Sequence, residues 1–352
     1  MTSALPNVRP ERGEAMDAFL ARIGWVGAAR RMLAGDASFR RYERVEFEGR
    51  VAVLMDAPPP WEDVRPFIAV TDLLAQCGVS VPHIIGRDEV EGFLLLEDLG
   101  DLSFSRLLRE HPERESEIYS TAADALIAIH MNSMAKADIL EDVLPPYDMA
   151  VYLREAALFV EWFLPQVHGI EKARQLRDAY LDIWRGIIAG VGLKQNCIVH
   201  RDFHADNLLW LGERTDYQAV GMIDYQDALW GDAAYDLASL LEDARRDVDP
   251  TVMAECFARY STAIGEPARE FAARYAVLAA QRNAKIIGIF VRLCVRDGKA
   301  HYADYLPRVW NHFLNDLHYP LLKPLSDFVE QYVPVNYRGH FDIKTDVGGI
   351  VP

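Results

Sequence analysis

Between positions 196 and 232 a short non-helical island interrupts sequence that otherwise reads as helices, reading NCIVHRDFHADNLLWLGERTDYQAVGMIDYQDALWGD. It contains His200-x-Asp202-x4-Asn207, followed after the apolar run 220–223 by Asp224. That set of side chains suits phosphoryl transfer. Such chemistry needs a carboxylate to orient the attacking hydroxyl and accept its proton, and hard oxygen ligands for a Mg²⁺ that bridges nucleotide phosphates. An Asp and an Asn five residues apart on a tight loop can face one cleft, and a second Asp at the end of a neighbouring strand completes the oxygen set.

Elements must hold those residues in place. The chain has 352 residues, 51% hydrophobic and 26% charged, which is enough for about two domains and excludes a disordered or fibrous chain. Its net charge of −16 argues against nucleic-acid or membrane-surface partners. Cys77, Cys197, Cys256 and Cys294 lack zinc or disulfide spacing and read as buried thiols of a reducing compartment. With no apolar leader segment at the N-terminus and no spanning run, the expectation is a cytoplasmic protein. Helical periodicity covers 14–33 and 62–77, and strand pairs flank Glu48-Gly49 and Glu91-Gly92. Beyond Gly100 the segments 103–130, 148–164, 170–190, 233–246, 251–263, 267–296 and 300–318 read as helices, and the tail after Pro320 as irregular. The expected organisation is α+β, with a nucleotide-binding lobe over 1–100, a hinge at 97–101 and a helical lobe over 101–352.

The H-x-D-x4-N spacing, within this two-lobe outline, resembles the kinase-like phosphotransferases, the superfamily of aminoglycoside phosphotransferases, choline kinases and protein kinases. The resemblance implies a bilobal protein-kinase-like fold with a small antiparallel-sheet N-lobe, with ATP and Mg²⁺ as cofactors. It makes Asp202 the catalytic base and Asn207 and Asp224 the metal ligands, with His200 supporting the loop. It puts Leu209 and Ile223 under the adenine and the backbone of 97–99 (Glu97 to Leu99) beside it, with Val53 on the third strand also at the nucleotide. Asp236 becomes a buried scaffold carboxylate that receives catalytic-loop N–H groups. GDASFRRY, with Gly35, Ser38, Arg40 and Arg41, stands where the family has its phosphate-covering loop, and small residues and Arg suit that task.

One departure matters. The family's third-strand Lys is absent: RVAVLMDAP has Leu54 and Met55 there, and no Lys precedes Lys136. Either the protein is a degenerate pseudokinase or Arg40 and Arg41 replace the Lys. Intact Asp202, Asn207 and Asp224 favour replacement, and strand alternation sends only one of the two arginines toward the cleft. Within the superfamily, GDASFRRY, VLMDAPP, HRDFHADNLLWL, REAALFVEWFL and GMIDYQDALWGDAAYDLASLLEDARRDV resemble bacterial anomeric amino-sugar kinases. These phosphorylate N-acetylmuramate or N-acetylglucosamine at C1 in cell-wall recycling. A sugar needs polar contacts and an aromatic face. The candidates are His204, Asp206, Tyr225, Gln226, Asp227, Glu161 and Trp162, with Arg292 or Arg296 for a lactyl carboxylate. Aminoglycoside or choline-type phosphotransfer is the runner-up enzyme reading.

Overall fold

Two glycines end the first helix early. In the computed structural model, which describes residues 10–35, 39–140 and 143–350, α1 spans Pro10–Arg22. Gly24 and Gly27 then take φ of 82° and 72°, a left-handed backbone that a helix cannot continue through. The segment after them, expected to be helix to position 33, is instead strand β1 (Ala29–Gly35). Gly35 therefore closes a strand. The phosphate-loop candidate lies between β1 and β2 (Arg41–Phe47), and its Ser38 falls outside the described residues. β2 turns at Glu48 and Gly49, both with positive φ, into β3 (Arg50–Asp56), as a tight hairpin requires. Helix α2 (Arg65–Gln76), β4 (Ile84–Asp88) and β5 (Phe93–Glu97) follow. The five strands form an antiparallel sheet in the order β1-β2-β3-β5-β4.

Register sorts the two faces of this sheet, because directly paired residues share a side. Val45 pairs with Ala52, Leu54 with Leu95, and Asp56 with Phe93. Except for Asp56, these residues pack with Met16, Phe19, Leu20 and Trp25 into one buried core on the α1 side. Each Val, Leu, Phe or Met side chain among them contributes ~1.5–3 kcal/mol when fully buried. Tyr42 pairs with Met55, and Arg44 with Val53, on the opposite face.

The chain divides into two units. The first comprises the described residues up to Leu102 together with Leu209–Asp227, so a stretch that the sequence reading gave to the helical lobe belongs with the sheet. The second comprises Ser103–Leu208 and the residues from Ala228 onward.

Chain order in the second unit begins with α3 (Phe104–Glu110) and α4 (Glu115–Met134), one helix in expectation but split at Pro112, which cannot continue an α-helical ladder. After α5 (Ala137–Leu140) comes α6 (Met149–Leu158). A π-helical turn over Phe159–Phe163 then leads into α7 (Leu164–His168) and α8 (Ile170–Val191). Strand β6 (Cys197–Val199) pairs here with β9 (Leu229–Gly231), whereas β7 (Leu208–Trp210) and β8 (Val220–Met222), which pair with each other, fall essentially in the first unit. Helices α9 (Ala234–Leu241), α10 (Pro250–Ile264), α11 (Ala268–Asp297) and α12 (Leu306–Asp316) complete the bundle.

Gly288 of α11 lies so close to α6 that a Cβ there would meet the Leu158 carbonyl at 2.3 Å. The tail contradicts its irregular reading at one point: α13 (Lys323–Tyr332) buries Leu325, Phe328 and Val329 at helical spacing. Beyond it, Gln166 donates to the carbonyls of Lys344 (3.2 Å) and Val347 (3.1 Å) and accepts from Lys344 N (2.8 Å), tying the tail to α7. Among the described residues no helix is long and apolar enough to cross a membrane.

Candidate active site

In the second unit, β6 delivers the chain into the loop that starts at His200. Two consecutive backbone N–H groups there, of His200 and Arg201, donate to the Asp236 carboxylate on α9 at 2.6 and 2.9 Å. Asp236 is 0% exposed, so this is a buried anchor, as its sequence context predicts. The anchor holds Arg201 at φ 75°, a left-handed conformation that costs a non-glycine residue ~1–2 kcal/mol. His200 is buried and sets its ring edge-on to Phe203 at 5.6 Å.

The loop then folds on itself. His204 N donates to Asp202 O at 3.1 Å, and Asn207 N to His204 O at 2.9 Å. Asn207 Nδ2 donates to Asp202 O at 3.0 Å, so Oδ1 is the amide's acceptor atom. Ala205 N donates to Asp243, a second buried carboxylate that the sequence reading did not single out.

Electrostatics keep Asp202 ionised. Burial raises its pKa, but Lys285 and the Arg201 and Arg282 guanidinia outweigh that, and the carboxyl sits below its ordinary value. Glu155 organises these cations. Buried in α6, it accepts from Lys285 Nζ at 3.0 Å and from the Arg201 guanidinium and the Tyr147 hydroxyl. Its carboxyl is held down to about 2 despite burial, by Lys285 and Arg201. Lys285 also reaches Tyr235 Oη at 3.2 Å. Neither Glu155 nor Lys285 was predicted. Glu155 lies inside the REAALFVEWFL segment, six residues before Glu161, and Lys285 is one cation among several on a long helix, with nothing local to mark it.

The sugar candidates separate. His204 is buried, and burial together with Arg245 pushes it down to about 4, so it is a neutral ring. Its Nε2 lies 3.3 Å from Arg245 Nη1, and Arg245 also pairs with Asp206 at 3.1 Å. Glu161 is engaged by Arg177 at 3.0 Å, and its carbonyl accepts from Ile350 N at 2.8 Å. Gly349 lies against the Trp162 ring so closely that a Cβ would come within 2.6 Å of it. The C-terminal tail, not open space, thus covers Glu161 and Trp162. Arg296 pairs with its neighbour Asp297, and the α11 cations that act on Asp202 are Lys285 and Arg282 rather than Arg292 or Arg296.

The first unit carries the other predicted residues. Asp224 follows β8 with φ 63° and accepts from Gln226 Nε2 at 2.8 Å, and Gln226 also reaches Asp227 at 3.4 Å. Arg40 Nη2 lies 3.9 Å from Asp224 Oδ1, whereas Arg41 pairs in register with Asp56 on the α1 face. Arg40, just before β2, is thus the arginine beside Asp224.

Tyr225 is wholly buried, stacked on Phe67 at 5.0 Å with its hydroxyl 2.9 Å from Thr71 Oγ1. It is packing between α2 and the 224–227 turn and does not offer a face to a sugar. Leu209 is buried and Ile223 half-buried, and Leu99 packs against Gly221 of β8. At the hinge, Glu97 N donates to His83 O at 2.8 Å, so it is committed to the protein, and the Glu97 carboxylate takes Arg214 at 2.6 Å. Arg44 forks between Asp98 and Asp101. Val53 and Met55 stand on the same sheet face as Tyr42 and Arg44. A cavity of about 590 Å³ in this unit, bordered by Ile68, His83, Arg87, Arg214 and Gln218, is lined by none of the predicted residues.

Taken separately, Asn207 in the second unit keeps an amide carbonyl, its Nδ2 being bonded to Asp202 O, and Asp224 in the first unit carries a carboxylate near Arg40; each is an oxygen donor of the kind a hard divalent cation takes.

The APH model, for the phosphotransferase enzyme family, matches residues 30–274. A curated N-acetylmuramate/N-acetylglucosamine kinase of Caulobacter vibrioides is 35% identical, over 93% of this chain and 98% of its own. One of Pseudomonas aeruginosa is 38% identical over 79% of this chain and 81% of its own. Among solved structures, a putative aminoglycoside phosphotransferase of Ralstonia eutropha superposes with a TM-score of 0.60 at 17% identity, covering 92% of this chain and 99% of that one. That likeness carries the fold, a bilobal protein-kinase-like one. The chain belongs to the phosphotransferase enzyme family, it is a kinase, and it groups with the N-acetylmuramate/N-acetylglucosamine kinases.

Proposed function

We propose that the protein transfers the γ-phosphoryl group of ATP to the anomeric C1 hydroxyl of N-acetylmuramate, N-acetylglucosamine or both. Asp202 carries the reading. It is a carboxylate kept ionised by surrounding cations on a loop pinned by Asp236, suited to orient a hydroxyl and take its proton. Asn207 and Asp224 are the residues we assign to Mg²⁺, which when bound supplies charge neutralisation of the phosphates. Arg40 is assigned to the phosphates. The backbone of 97–99 (Glu97 to Leu99), with Val53, Leu209 and Ile223, is assigned to the adenine. At the acceptor side the assignment narrows to Asp206, Asp227 and the Asp202 surroundings, with Lys285 and Arg282 as the cations for a lactyl carboxylate.

The names of the curated relatives support the amino-sugar acceptor. A substrate panel with ATP and Mg²⁺ tests this, reading ADP release with N-acetylmuramate, N-acetylglucosamine, kanamycin and choline. Release with either amino sugar is expected. Release with kanamycin or choline alone would replace this proposal with the aminoglycoside or choline reading.

A further inference from the structure

The face of the sheet that bears Met55 has a charge problem. Met55 brings no cation, and Arg44, the cation beside it, is committed to Asp98 and Asp101. Arg40 sits just ahead of β2, with a side chain only 11% exposed. Its Nε lies 3.7 Å from Glu62 Oε2, and its Nη2 reaches toward Asp224. The other oxygen of Glu62 accepts the Phe39 N–H at 3.1 Å. One residue back on each side, the Phe39 and Trp61 rings meet at 6.1 Å with a 40° tilt. Two consecutive residues before β2 and two before α2 are therefore clasped by three contacts of different kinds: ring on ring, N–H to carboxylate, and ion pair. Phe39 and Trp61 remain 42% and 58% exposed, so burial of apolar surface does not by itself account for the pairing.

We infer that Glu62 is a positioning residue for the nucleotide phosphates, acting through Arg40, with the Trp61–Phe39 contact fixing the approach of the two segments. The inference rests on the proposed nucleotide role of Arg40. A loose arginine must lose its rotamer freedom when it engages a phosphate. Glu62 removes most of that freedom beforehand, and preorganisation of this kind appears as affinity. The carboxylate also opposes an incoming anion, so the sign of its effect is informative. If positioning dominates, loss of Glu62 weakens ATP binding. If repulsion dominates, the loss strengthens it.

The test measures ATP affinity by calorimetry in the absence of sugar, then KM for ATP and for the amino sugar. Glu62→Gln keeps an oxygen for the Phe39 N–H and removes the ion pair. It is expected to weaken ATP binding roughly tenfold, ~1.4 kcal/mol, to raise KM for ATP by a similar factor, and to leave KM for the sugar unchanged. Glu62→Asp should recover part of the loss. In an Arg40→Ala background the Glu62→Gln substitution should have no further effect, which a general structural role would not produce. Equal or tighter ATP binding by Glu62→Gln overturns the inference, as does a full Glu62→Gln effect in the Arg40→Ala background. Failure of the wild-type chain to bind ATP would instead overturn the nucleotide reading, and the inference with it.

Discussion

Asp236→Asn tests whether the loop around Asp202 is held by the buried carboxylate or merely rests on it. Asp236 accepts two backbone N–H groups at 2.6 and 2.9 Å, and it and His200 are 0% and 1% exposed, so water cannot replace the bond from His200. Asparagine keeps one acceptor and turns an NH₂ toward the other N–H. A hydrogen bond to a charged group contributes ~1.5–3 kcal/mol, and a buried donor left unsatisfied costs ~1–3 kcal/mol. The same pin holds Arg201 at φ 75°, a conformation that relaxes once it is released. Relaxation there turns the next residue, Asp202, and displacement of a reacting group by ~1 Å costs on the order of 10²-fold in rate. The expected outcome is a fall in kcat of roughly 10- to 100-fold, with KM for ATP nearly unchanged and a lowered Tm. Steady-state ADP release well below the variant's own Tm, alongside thermal unfolding, separates the rate effect from simple loss of fold. A kcat within about twofold of wild type would refute the pinning argument.

Four further outcomes can be measured. Asp224→Ala should abolish the Mg²⁺-dependent part of ATP binding in calorimetry while metal-free nucleotide still binds, since few protein oxygens hold such an ion. Asp202 has its carboxyl below the ordinary value, so the acidic limb of kcat/KM should lie below that of an unperturbed aspartate, activity being lost only as pH falls through that lowered value. Lys285→Met removes the leading cation and should move that limb to higher pH, and an unmoved limb would contradict the electrostatic account. Trp162→Ala should lower Tm through loss of the packing against Gly349 and leave KM for the sugar unchanged, and a selective rise in that KM would return Trp162 to the substrate site.

The residues proposed to carry the chemistry could be picked out because their spacing is local. Asp202, Asn207 and Asp224 fall within 23 positions, and Asp236 sits in an apolar context that permits only a partnered carboxylate. Local patterns also marked the hairpins. The misread helix at 29–33 followed from apolar periodicity continuing past Gly24 and Gly27, where backbone conformation outweighed pattern. Partners distant in sequence were not legible. Glu155 meets Arg201 across 46 positions and Lys285 across 130, and neither pairing leaves a periodic trace. Tyr225 and Trp162 were read as sugar contacts from residue type, which cannot tell an aromatic platform from a packed ring. The tertiary contacts to Phe67 and Thr71, and to the C-terminal tail, favour packing for both. Arg40 and Arg41 could be told apart only once the register of β2 was known.

The central claim is that Asp202 directs phosphoryl transfer to an anomeric hydroxyl. Phosphorus NMR of the product formed from N-acetylmuramate, ATP and Mg²⁺ tests it most directly, with the wild-type chain and Asp202→Asn run in parallel. The account predicts a sugar 1-phosphate from the wild type, formed about 10²–10⁴-fold more slowly by the variant. A 6-phosphate, or equal rates from the two proteins, would contradict it.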